Sequence, residues 1–94
     1  MAKYFRSDSQ RKTYKLEMSI SGKALLYFVS VTAQNDGSFL HARGCDVFKH
    51  ESTALEIMET IAVPATEDDY LTALKDYFAI DKKVREAFIK TYNL

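Results

Sequence analysis

The chain has one cysteine, one proline, three glycines and no tryptophan among 94 residues. A single cysteine, Cys45, rules out an intramolecular disulfide. So few glycines and prolines leave little sequence for long loops, so regular structure should account for most of the chain. No net charge is available either: 13 basic residues balance 13 acidic ones. That balance argues against a general polyanion binder, which would be basic overall. No apolar run approaches the ~18 residues of a membrane span. The first ten residues lack the apolar stretch of a secretory leader, which makes the cytoplasm the expected compartment and a membrane an unexpected partner.

What is present suits one packed domain, 1–94. Hydrophobic residues make up 47% and aromatics 13%, far from a disordered composition. The charges are segregated. Residues 1–15 carry Lys3, Arg6, Arg11, Lys12 and Lys15 against Asp8 alone. Residues 51–69 carry six acids and no base, and the C-terminal stretch is basic again.

Hydrophobic periodicity then divides the chain into a basic N-terminal arm (1–12), an antiparallel sheet (13–48) and helices (52–92). Tyr14, Leu16, Met18 and Ile20 alternate with polar residues, as in a half-buried strand. Ser21-Gly22-Lys23 reads as a turn, and residues 24–33 as a central strand rich in β-branched and aromatic side chains. Asn35-Asp36-Gly37 signals a second hairpin, leading into a third strand over 38–48. Thr53 with Glu56 suggests a capping box, and Leu55, Met58 and Ile61 an apolar helical stripe that Pro64 ends. Thr66 caps the next helix, with Glu67, Asp68 and Asp69 in its first turn. Asp81 starts a third helix carrying Val84, Phe88 and Tyr92, or residues 67–92 form one bent helix. The expected fold is α+β: a three-stranded antiparallel meander followed by two or three helices on one sheet face, in two layers.

With two-residue loops at Gly22-Lys23 and Asp36-Gly37, one face collects Tyr14, Leu16, Met18, Ile20, Leu25, Tyr27, Val29, Val31, Leu40, Ala42 and Phe48. A three-residue loop would instead flip a strand. The opposite face then presents Leu26, Phe28, Phe39 and Val47 among Lys15, His41 and Arg43. An apolar patch with a polar rim implies a contact surface for a protein partner, either another protein or a second copy. The competing assignments are a stacking platform for single-stranded nucleic acid, and a face covered by Tyr4 and Phe5 of the N-terminal segment. In the nucleic-acid reading the cations are Lys3, Arg6, Arg11 and Lys12 of the arm and Lys82, Lys83 and Arg85 of the last helix. Residues 77–85 resemble a helix-turn-helix only weakly, since their turn lacks glycine.

No motif implies a cofactor. His41, Cys45 and His50 are the residues that could hold a metal, but His41 and Cys45 are four strand positions, about 13 Å, apart. That spacing gives no metal site. A nucleophilic Cys45 would also need an orienting group and an oxyanion pocket that no motif supplies. The expectation is therefore a non-enzymatic adaptor or inhibitor, of the kind found among phage and mobile-element accessory proteins, with a nucleic-acid binder as the alternative.

Overall fold

The computed structural model describes residues 2–93. Its elements are strands β1 (Lys3–Ser7), β2 (Lys12–Met18), β3 (Ala24–Ala33) and β4 (Phe39–Phe48), helix α1 (Glu51–Ile61), strand β5 (Val63–Pro64) and helix α2 (Glu67–Tyr92). The strands form a single antiparallel sheet of order β4-β3-β2-β1-β5. The α+β class expected from the sequence is present, but the three-stranded, two-layer arrangement is not. The basic arm is itself strand β1, paired in plane with β2, and the segment around Pro64 adds a short fifth strand against it. Tyr4 and Phe5 therefore extend the sheet rather than folding across its face.

Both hairpin loops are one residue longer than the two-residue turns the sequence suggests. Ser19 N–H donates to the Lys23 carbonyl at 2.8 Å, enclosing Ile20, Ser21 and Gly22. Gln34 N–H donates to the Ser38 carbonyl at 2.8 Å, enclosing Asn35, Asp36 and Gly37. Gly22 and Gly37 adopt φ of 85° and 83°, the left-handed conformation that closes such loops. The extra residue in each loop pairs Tyr14 with Phe28 and Phe28 with Gly44. Strand β3 is thereby turned over relative to β2 and β4, because side chains alternate with period two.

The helices consequently lie on both sides of the sheet. On one side, Phe5, Tyr14, Leu16, Ala24 and Leu26 form the core with Ala54 and Met58 of α1. Burying each large apolar side chain there contributes about 1.5–3 kcal/mol. Val29, on the other side, is 1% exposed and lies beneath α2. The chain crosses from one side to the other at β5, around the β1 edge. Ile20 is fully exposed in its loop rather than in the core.

The helix ends follow partly from sequence. Helix α1 begins two residues before Thr53, with His50 as an N-cap that makes no side-chain hydrogen bond. The Thr53–Glu56 capping box is therefore absent. Thr66 does cap α2, in a reciprocal box with Asp69. From there α2 runs unbroken for 26 residues, about 39 Å, with neither a third helix nor a turn near Ile80. That continuity removes the helix-turn-helix likeness. No helix among the described residues is long and apolar enough to cross a membrane.

Candidate functional site

The register divides the residues that the sequence places on one contact face. Leu26 and Phe28 lie on the α1 side, with Leu26 only 3% exposed. Lys15, Phe39, His41, Arg43 and Val47 lie on the α2 side. The continuous patch joining Phe28 and Leu26 to Val47 and Arg43 does not form. The cause is the turned-over β3. The cations of the nucleic-acid reading are divided as well: Lys3, Arg6, Arg11 and Lys12 belong to the β1–β2 hairpin, and Lys82, Lys83 and Arg85 to the far half of α2. Three of them face carboxylates, in the pairs Lys3–Glu51 (3.3 Å), Arg6–Asp8 (3.7 Å) and Arg85–Asp81 (2.9 Å).

The register brings together a corner where α2 crosses edge strand β4. Near its start, the Tyr70 ring lies 5.9 Å from that of Tyr4 on β1. Two turns later α2 reaches β4. The Tyr77 ring lies 5.2 Å from that of His41, and the Arg43 guanidinium lies 5.5 Å from the centre of the Tyr77 ring and 5.0 Å from that of Phe78. Asp81 then ties the two elements: one carboxylate oxygen is 3.2 Å from His41 Nε2 and the other lies 2.9 Å from Arg85 Nε in an ion pair. The His41 and Asp81 side chains are mostly enclosed, so this contact is largely shielded from water. The arrangement fixes the angle at which α2 leaves the sheet.

Beyond Asp81 the helix continues as an exposed overhang. Every residue from Lys82 to Asn93 is exposed, including Val84 (47%), Phe88 (55%), Ile89 (48%) and Tyr92 (64%). Val84, Phe88 and Tyr92 follow Tyr70, Leu74 and Tyr77 at helical spacing, so the face that packs on the sheet runs on past it. The overhang accounts for the elongated shape, 47 × 29 × 20 Å. The radius of gyration is 15.4 Å, against about 12 Å for a compact domain of this length.

The two edges of the sheet are unlike. The β5 edge is two residues long and contains Pro64, which blunts it against further pairing. The β4 edge is ten residues long and has no proline, and Phe39 (45%), Leu40 (61%) and Val47 (59%) are exposed along it. Phe39 lies two residues from His41, on the side from which α2 departs, whereas Leu40 points to the opposite side.

His41 and Cys45 both lie on uninterrupted β4, and no group of three or more His, Cys, Asp or Glu side chains gathers among the described residues. Burial, then the nearby Asp46 and Glu17 carboxylates, push the Cys45 thiol up from its ordinary value, which disfavours the nucleophilic thiolate. The groove beside it is lined by Tyr27, Arg43, Gly44, Cys45 and Tyr70. Comparison with protein-family models, curated proteins and solved structures finds no match.

Sequence periodicity identifies Val84, Phe88 and Tyr92 as one stripe but assigns that stripe to the core. Its exposure follows from length: α2 runs across the strands, and about 39 Å of helix outruns a sheet whose neighbouring strands lie about 4.8 Å apart.

Proposed function

We propose that the chain is a non-enzymatic interaction module, an adaptor or inhibitor, that docks onto a protein through the corner formed by β4 and the α2 overhang. The observation that carries this reading is the continuation of the sheet-packing stripe into Val84, Phe88 and Tyr92 with no sheet beneath it. An apolar helix face left in water has a free-energy cost that a docked partner removes. Phe39 supplies the adjoining apolar surface, and Phe88 and Tyr92, whose rings lie 4.6 Å apart, are the aromatic anchors. A partner can also add a strand to the open β4 edge, gaining main-chain hydrogen bonds.

The test is a photo-crosslinking residue at position 88 in the native host, with position 23, in the loop at the far end of the sheet, as control. A discrete protein adduct from position 88, absent from position 23, is expected. Nucleic-acid adducts, or none, would overturn the reading. In the nucleic-acid case, binding would also fall steeply with rising salt through counterion release.

A further inference from the structure

We propose that the partner at this corner is a second copy of the chain, placed by a two-fold axis beside the His41 end of β4. The inference rests on the docking reading and narrows it to one occupant. Its first support is the edge. The bond from Gln34 N–H to the Ser38 carbonyl sets the alternation of the β3–β4 ladder. Even-numbered residues of β4 then bond to β3, and the N–H and C=O groups of Phe39, His41, Arg43, Cys45 and Val47 point outward. An antiparallel β4 from a second copy satisfies them and joins two five-stranded sheets into one.

The second support is the overhang. Pairing centred near His41 carries the second copy's β4 and β3 outward past the corner, in the direction α2 takes. A two-fold axis normal to the sheet keeps the α2 faces of both copies on the same side. Val84, Phe88 and Tyr92 then meet the neighbouring sheet as Tyr70, Leu74 and Tyr77 meet their own. The contact is isologous and closes on itself, so it forms a dimer and not a fibre.

The third support is charge. The first half of α2 carries Glu67, Asp68, Asp69 and Asp76 against Lys75, and the second half carries Lys82, Lys83, Arg85 and Lys90 against Asp81 and Glu86. Two such helices lying antiparallel place each acidic half beside a basic one. The chain is neutral overall yet complementary to itself. The area is adequate too. Phe78, Val84, Phe88, Ile89 and Tyr92, each about half exposed, offer roughly 1,000 Å² over two copies, and the β4 edges bring this towards the ~1,200–2,000 Å² of a stable interface.

Sedimentation velocity of the purified chain over a hundredfold concentration range tests this. The expected result is a species of twice the 10.8 kDa chain mass that dissociates on dilution. Phe88→Asp should raise the dissociation constant at least tenfold without changing the circular dichroism, because Phe88 is exposed. Phe39→Pro, which removes an outward N–H at the first residue of β4, should do the same; should that variant misfold, Phe88→Asp decides. A monomer at every concentration overturns the inference, and so does a dimer indifferent to Phe88→Asp. The position-88 crosslink separates the two proposals. An adduct to a different protein keeps the docking reading and removes the two-fold one, whereas the absence of any protein adduct removes both.

Discussion

Phe28 lies across Gly44, its directly paired neighbour on the edge strand, with Cε1 2.6 Å from the point where a Cβ at position 44 would stand. Gly44 has no positive φ, so its need for glycine comes from space and not from backbone conformation. The ring covers backbone that a side chain would otherwise shield, and Lys12 Nζ sits 4.9 Å above the ring centre. Gly44→Ala should therefore destabilise the fold by about 1–2 kcal/mol, because the ring must move off its seat. In a Phe28→Ala background the same change should cost close to nothing. Urea denaturation of the four chains gives the coupling energy, and additive effects would show that the ring and the glycine do not compete for space.

Much of the fold is legible in the sequence because its signals are local. Alternation in 14–18, the β-rich run of 24–33 and the Thr66 cap lie within a few residues of what they specify, and each stands in the structure. Other features were not legible. Loop length is set by how Ser19 and Gln34 close their turns, and a single residue decides which way all of β3 faces. Strand β5 is two residues long, too short for periodicity, and exists because β1 offers it an edge. The exposed half of α2 has the same apolar spacing as its packed half, so periodicity alone cannot say where the sheet stops. The corner itself was half visible: Phe39, His41 and Arg43 share the α2 side, while Leu26 and Phe28 go to the other face.

That register has a direct consequence for stability. Leu26 is 3% exposed in the α1 core, whereas Ile20 is fully exposed and Val47 is 59% exposed. Leu26→Ala should cost about 2–5 kcal/mol through lost burial and the cavity left behind. Ile20→Ser and Val47→Ser should each change stability by less than about 0.5 kcal/mol in the monomer. Thermal melts at low concentration, where self-association is minimal, make the comparison. If Ile20→Ser were the damaging change and Leu26→Ala the mild one, β3 would face the other way.

The start of α2 supplies a pH dependence whose sign can be worked out. Thr66 N–H donates to the Asp69 carboxylate at 2.9 Å, and Asp69 N–H donates to Thr66 Oγ1 at 3.1 Å. The Thr66 backbone bond first, then its side-chain bond, hold the Asp69 carboxyl below its ordinary value. A group with a depressed folded-state pKa stabilises the fold above its unfolded value, and that contribution disappears as pH falls through the folded value. The loss should therefore begin near the usual aspartate range, about pH 4, and continue below it. Asp69→Asn removes the titrating group, so its stability relative to wild type should improve as pH falls from 7 to about 3. Thr66→Ala should cost about 1 kcal/mol at neutral pH by leaving the first turn uncapped. Chemical denaturation at both pH values measures each effect, and a wild-type-to-Asn difference that does not change with pH would show that the box does not hold Asp69 ionised.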